Sequence, residues 1–284
     1  MYFKFSNSSG SLVFGSQHRS DSMFRITDIT GLSIPDKSFA TAVYANLRGQ
    51  ETVGTRICPR TITMSGDVID SEISLNALSE AAFILDKPGT LEIHFDDKNP
   101  RKIDCVCTSF IPGETKGRYK LFVIQFMCDD PYFYDDNEIN SPAFGVRGYL
   151  NSSFKFPGVF STRISNSTIF CKGNALTEPT FKIAVMKKNE SANPTLCIKN
   201  HTTGNSINLK YSASVGDTIT IDTSKRKIYN QRGENLLWYL ADDSFFSDFY
   251  LVPGNNNLSI DVSGSIDAVR VDCLYCARYI EAVL

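Results

Sequence analysis

Histidine is scarce, tryptophan scarcer and net charge almost absent: the 284 residues hold three His, one Trp and a formal charge of −2. Three histidines leave few candidates for a general base or a zinc ligand, and none of His18, His94 or His201 lies in a nucleophile motif. No His-x-x-x-His, Walker loop or Gly-x-Gly-x-x-Gly occurs, so zinc-hydrolase and nucleotide readings lack support. A balance of 29 basic against 31 acidic residues offers no sequence-independent grip on nucleic acid, which needs many phosphate-neutralising cations. No apolar run reaches about 18 residues, so no membrane-spanning helix is expected. The opening Met1-Tyr2-Phe3-Lys4-Phe5 lacks the basic start and apolar stretch of a secretory signal. The expectation is a product made and kept in a cytoplasm or released by lysis. The glycosylation tripeptides at Asn7, Asn151, Asn166, Asn189, Asn200 and Asn257 then carry no meaning.

What is present is ordinary globular material, 42% hydrophobic and 21% charged, rich in Phe (20) and Tyr (12), which favours strands. The length suits two domains, each with its own core. Eight cysteines, Cys58, Cys105, Cys107, Cys128, Cys171, Cys197, Cys273 and Cys276, are read as reduced thiols packed as small hydrophobes. Cys273-Leu-Tyr-Cys276 resembles half a zinc site. Its setting, 269–279, alternates as a strand, where positions three apart face opposite ways. Cys105 and Cys107 share a face, but no second ligand pair follows. No metal or cofactor is expected.

The first half reads as strands at 24–32, 40–47, 60–64, 90–95, 102–110 and 119–128, with one helix over 74–85. Leu75, Leu78, Ala82 and Leu85 make the helical stripe, Ser74 can cap it, and Pro88-Gly89 stops it. The near-continuous apolar run Leu121–Met127 suggests a strand buried on both faces. Asp129-Asp130-Pro131 and Asp135-Asp136-Asn137-Glu138 then mark a connection, which divides the chain into 1–138 and 139–284. The second half has short strands at 180–186, 195–200, 206–211, 217–222, 227–230, 249–252, 257–262 and 269–279. Turn residues separate them, the pattern of a β-sandwich.

Chemistry has few candidates. Asp129-Asp130, Asp135-Asp136 and Asp242-Asp243 could supply a glycosidase pair, or simply solvate turns. Spaced calcium ligands are missing. Trp238 could stack a sugar ring, or pack as a core or loop aromatic. His94 reads as a solvated strand position, and Lys225-Arg226-Lys227 as a solvated hairpin end. No catalytic constellation results, and the chain reads as a binding or assembly component rather than an enzyme.

Five motifs in order carry a family resemblance. They are Arg60-Thr61-Ile62-Thr63-Met64-Ser65-Gly66-Asp67 before the helix, Cys128-Asp129-Asp130-Pro131-Tyr132-Phe133-Tyr134, and Gly173-Asn174 through Pro179-Thr180-Phe181-Lys182-Ile183. Then follow Gly216-Asp217-Thr218-Ile219-Thr220-Ile221-Asp222-Thr223 and Leu251-Val252-Pro253-Gly254-Asn255, ahead of a last strand ending Ala277-Arg278-Tyr279-Ile280-Glu281. Together they resemble the distal tail proteins of long-tailed phages of Gram-positive hosts, the siphovirus tail component family. In that family the first motif runs strand, Gly-Asp turn, helix.

The resemblance implies a mainly β chain: an N-terminal, tail-tube-like split β-barrel with one helix over 1–138, and a C-terminal galectin-like β-sandwich over 139–284. It implies a homohexameric ring at the virion tail tip, assembled in the host bacterial cytoplasm. The ring would join the tail tube protein to a tail-associated hub or fibre protein and a receptor-binding protein, with DNA only passing through the lumen and no membrane contact. The alternative is a carbohydrate-binding module that meets the host cell wall, with Trp238 as the candidate contact. Sugar-binding galectins use a His, Asn, Arg, Trp and Glu cluster. Here Asn200-His201 is followed by Thr202-Thr203 with no arginine close by.

Overall fold

The computed structural model describes residues 1–15, 22–45, 48–69, 72–95, 99–116, 119–148, 161–164, 166–188, 191, 194–210, 213–244, 246–263 and 268–282. The chain divides into two compact units, Met1–Asp136 with Tyr279–Leu284, and Asn137–Arg278. His18, Asn151 and Asn189 lie outside the described residues.

The first unit contains β1 (Tyr2–Asn7), β2 (Gly10–Gly15), β3 (Phe24–Thr30), β4 (Lys37–Ala42), β5 (Glu51–Ile57), β6 (Arg60–Ile69), α1 (Glu72–Leu85), β7 (Gly89–His94), β8 (Arg101–Lys116), β9 (Tyr119–Cys128) and β10 (Phe133–Asp135). Seven strands close a barrel in the order β8-β7-β1-β2-β3-β6-β9, with β9 returning to β8. The neighbours are antiparallel except β2 and β3, which run parallel through two residue pairs, Phe14–Phe24 and Gly15–Arg25. Alternation fills the interior with Phe3, Phe5, Phe14, Phe24, Ile62, Met64, Leu91, Ile93, Phe122, Ile124 and Phe126.

Two local expectations change. Leu121–Met127 is buried on one face only: Phe122, Ile124 and Phe126 point inward, while Val123 and Met127 are exposed. A barrel has one dry side, so an apolar run is no proof of two covered faces. The helix starts at Glu72, which puts Ser74 inside it rather than at its cap. Its buried stripe is Leu78, Ala81, Ile84 and Leu85, one position off the predicted Ala82. At its far end the Asn7 side chain donates to the carbonyls of Ile84 and Lys87 at 2.7 and 3.1 Å, satisfying acceptors that a helix end leaves open.

Gly66-Asp67 sits within β6 and not in a turn. A Cβ on Gly66 would come within 2.1 Å of the Arg25 carbonyl, opposite a register shift in β3. The Asp67 carboxylate then accepts from Arg25 Nε and Nη2 at 2.9 and 2.7 Å. The Gly-Asp pair therefore knits a bulged strand to its partner.

Arg60, at the start of β6, is 3% exposed. It donates to four backbone carbonyls: Pro131 (2.7 Å), Gly31 (2.6 Å), Ser33 (2.5 Å) and Ile280 (2.6 Å). Its guanidinium lies 4.6 Å from the centre of the Phe133 ring. Burial lowers the pKa of the guanidinium. The returning tail is held further by Ala282 N–H on Leu32 O at 3.0 Å, and by Tyr279, whose hydroxyl donates to Asp135 at 2.9 Å and whose ring lies 3.4 Å from the Arg101 guanidinium.

The second unit is a β-sandwich. One sheet orders β12 (Ser161–Ile164), β11 (Ile139–Gly148), β20 (Val269–Tyr275), β14 (Thr180–Val185), β17 (Thr218–Asp222) and β18 (Lys227–Asn230). The other orders β13 (Asn166–Cys171), β19 (Gly254–Val262), β15 (Thr195–Asn200) and β16 (Ser206–Lys210). Phe181, Ile183, Ile219, Ile221 and Val271 of the first meet Ile169, Leu196, Ile198, Ile207 and Leu258 of the second in one core. The expected strand at 249–252 reduces to a single bridge, Leu251 to Thr177.

Two outcomes are expected for the first unit. Arg60→Lys keeps the charge but cannot fork to four acceptors, and it costs about 2–4 kcal/mol, read as an earlier calorimetric transition of that unit; an unchanged transition would disprove the clamp. On the barrel, Glu92 accepts from Lys102 Nζ at 2.8 Å and His94 Nε2 at 3.1 Å, and Lys102 also pairs with Asp136 at 2.7 Å. Burial raises the Glu92 pKa, but the hydrogen bonds from Lys102 and His94, helped by the Lys4 charge, outweigh it and leave the carboxyl below its usual range. A carboxyl depressed in the folded state stabilises above its unfolded value and loses that contribution as pH falls through the folded one. Glu92→Gln is therefore less stable at neutral pH, and its melting curve is flatter than the parent's between about pH 5 and pH 3.

Candidate functional site

The acidic pairs serve as structural fittings. Asp135 accepts from Arg101 and Tyr279, and Asp136 pairs with Lys102. Asp130 Oδ1 caps the Tyr132 N–H at 3.2 Å, and Asp242 and Asp243 are exposed in a turn. Burial, then the hydrogen bond to Asp135, raises the Tyr279 hydroxyl to about 12. His94 is not a solvated strand position: it stacks on Tyr2 at 4.2 Å and bonds Glu92. His201 shares a 2.7 Å hydrogen bond with Ser259 Oγ. Lys225-Arg226-Lys227 is exposed in the turn before β18, as expected of a solvated stretch. Among the described residues no three His, Cys, Asp or Glu converge on a metal-sized site. Cys273 is buried on β20 while Cys276 lies just beyond the strand's end.

Trp238 falls on a single 3-10 turn, Leu237–Tyr239, and is 70% exposed. The packed-aromatic reading therefore fails. The neighbouring Tyr239 ring, 6.0 Å away centre to centre and tilted by 57°, lines a cavity of about 250 Å³ with Asp217, Asn230, Arg232, Glu234 and Leu236. Most of its polar groups are committed to the β17–β18 end. Asn230 Oδ1 accepts from Arg232 and Glu234 N–H at 2.9 and 3.1 Å, and Asn230 Nδ2 donates to Glu234 at 2.6 Å.

Among the described residues, most exposed large hydrophobics are on the first unit. There strands β4 and β5 pair with each other and with no other described strand, forming a two-stranded hairpin almost wholly open to solvent. Phe39 (57% exposed) opposes Thr55, and Val53 (69%) sits where the register shifts, with Val43, Tyr44 and Ile57 also exposed. A second stripe runs along the outside of the barrel on β8 and β9. Val106 opposes Met127, Ile111 opposes Val123, and all four are exposed. Sequence reasoning missed both, because a strand's outward face is not written in its residue types.

In the second unit the turn motifs have physical reasons. A Cβ on Gly173 would lie 2.0 Å from the Arg278 carbonyl, which accepts from the N–H groups of Asn174 and Ala175 at 3.1 and 3.2 Å. Asp217 Oδ2 accepts from Ser214 N–H at 2.9 Å, and Asp222 Oδ1 from Lys225 N–H at 2.9 Å, so the two aspartates fasten the turns at either end of β17. Gly254 adopts φ +89°, which favours glycine. Beside it the buried Asn256 amide accepts from Val252 N–H at 2.8 Å and donates to the Val252 and Gly254 carbonyls at 2.7 and 3.2 Å.

These motif-bearing turns fall within residues 172–279, which match the family described as siphovirus-type tail component, C-terminal domain. No curated protein matches the chain in sequence. Among solved structures, the Dit protein of phage SPP1 aligns over 89% of this chain and 92% of its own, with a TM-score of 0.66 and 13% identity. That protein is described as a paradigm of the hub adsorption apparatus in phages infecting Gram-positive bacteria. The baseplate of phage P2 in its activated, calcium-bound conformation contains a chain aligning over 96% of this one, with a TM-score of 0.49 and 13% identity. The sandwich and its motif-bearing turns lie within the match: residues 172–279 are similar to the C-terminal domain of the siphovirus-type tail component family.

Proposed function

We propose that the chain is a structural subunit of a phage tail tip, a distal tail protein whose six copies close a ring around the DNA channel. The ring sits between the tail tube and the host-recognition proteins, in a virion assembled in the bacterial cytoplasm. Residues 1–138 supply the ring and 139–284 present the outer sandwich. The observation that carries this reading is the unpartnered apolar hairpin β4–β5, together with the stripe Val106, Ile111, Val123 and Met127 on the same unit. An isolated two-stranded hairpin is marginal in water, and open edges invite pairing. Two different apolar surfaces on one chain are what a head-to-tail interface needs, and such an interface closes into a ring when its rotation divides the circle. DNA only transits, in keeping with a net charge of −2.

Native mass spectrometry of the purified chain is expected to show a species six times its 31.6 kDa mass. The double variant Phe39→Asp, Val53→Asp is expected to dissociate it at unchanged melting temperature, since both side chains are already exposed. A chain that stays monomeric and also fails to join tube or hub partners would sink the reading.

The exposure of Trp238 favours a second reading, a carbohydrate-binding module contacting the host cell wall. It requires retention of the chain on purified cell wall and at least a tenfold loss in Trp238→Ala, on the scale of one stacked aromatic. No retention ends it.

A further inference from the structure

The barrel wall holds two cysteines that the assembly reading does not use. Cys105 on β8 and Cys128 on β9 are both buried. The ladder pairs Val106 with Met127 and Cys107 with Phe126. The ladder ends at Val106–Met127, and Cys105 and Cys128 are the next residues along each strand, both buried. Each has its other neighbour on a different strand, Gly89 for Cys105 and Arg60 for Cys128. Directly opposed residues of antiparallel strands share a face and keep their Cα atoms about 4.5 or 5.5 Å apart, depending on the kind of pair. A disulfide accepts Cα separations of about 4.4–6.8 Å. Either kind of pair, carried one step past Val106–Met127, falls inside that window. Cys128 also acts on the Cys105 thiol, raising it more than burial does.

The other buried pair differs. Cys171 and Cys273 belong to the two separate sheets of the sandwich and have no common register.

We propose that Cys105 and Cys128 are an intrachain disulfide site, reduced in a reducing compartment and closed by a two-electron thiol oxidant. With oxidised glutathione the balance is simple. One cysteine thiolate attacks the glutathione disulfide, forming a mixed disulfide and releasing one glutathione thiolate. The second cysteine thiolate then attacks the protein sulfur of that mixed disulfide. The Cys105–Cys128 S–S bond forms as the bond to glutathione breaks, and a second glutathione leaves. Two protein thiols are oxidised, one glutathione disulfide is reduced, and the protons pass to the departing thiolates. The neighbouring Cys128, and then burial, push the Cys105 thiol above its usual range, so the folded barrel holds little thiolate. Closure is therefore slow in the native state and waits on opening of the β8–β9 ladder.

The test uses the full chain, purified under reductant. One portion is incubated natively with oxidised glutathione and another is refolded from denaturant in it. Both are then alkylated, digested and mapped by mass. The reduced chain presents eight alkylatable cysteines. Oxidation is expected to remove Cys105 and Cys128 together, as one cross-linked peptide lighter by two hydrogens, in the refolded portion and more slowly in the native one. Cys107→Ser is expected to keep the link and Cys105→Ser to abolish it. The melting midpoint of the first unit is expected to rise by roughly 5 °C or more on oxidation of the parent, and not of Cys105→Ser. Free Cys105 and Cys128 thiols in both portions, or either residue joined to another cysteine, would overturn the proposal.

Discussion

The first unit depends on one buried cation. Arg60 reaches the loop after β3 through Gly31 and Ser33, the segment after β9 through Pro131, and the returning tail through Ile280. All four acceptors are backbone carbonyls, so the arginine does the work that a strand or an ordered water would otherwise do. Nothing shorter or less forked substitutes for it: a guanidinium offers five donors in one plane, and these acceptors use three of its nitrogens. The Phe133 ring lies against the cation and helps to offset lost hydration. Residues 279–282, far along the chain, are thereby fastened to the unit that begins it.

Much of the architecture was legible in the sequence, and the parts that were not fail for identifiable reasons. Period-two alternation such as Thr218, Thr220 and Asp222 against Ile219 and Ile221 located β17, and the Gly-Asp and Pro-Gly-Asn turns located its surroundings. The same logic misread Leu121–Met127, because residue type reports apolarity and not which side of a barrel wall is covered. Gly66-Asp67 looked like a turn since that dipeptide usually makes one. Its role depends on Arg25, forty-two positions away in sequence, which no local pattern reveals. Arg60 carried no signal either: a lone arginine before a strand is indistinguishable from a solvated one until its acceptors come together.

The candidate chemistry was legible mainly as residues without a mechanism. The paired aspartates could be read as a glycosidase pair or as turn residues; Asp130, Asp135 and Asp136 are fittings for a nearby N–H group, Arg101 and Lys102, and Asp242-Asp243 lie exposed in a turn. Trp238 was visible because it is unique, and its exposure could not be read because a single 3-10 turn has no periodicity. The exposed apolar faces were invisible for the converse reason. Phe39, Val53 and Val123 are ordinary strand residues, and only the topology, a hairpin left outside the barrel and a wall with two sides, leaves them open to solvent.

The barrel is closed everywhere by long antiparallel ladders except at β2 and β3, where two parallel residue pairs complete the circle. Mechanically that makes it a slit tube. Load along the strands is shared by every ladder around the circumference, whereas radial swelling concentrates at the slit. The edge-on contacts of Phe24 with Phe14 and Phe122, at 5.7 and 5.6 Å, sit behind that joint like a latch. Parting the wall at this joint would break two residue pairs and leave every antiparallel ladder intact.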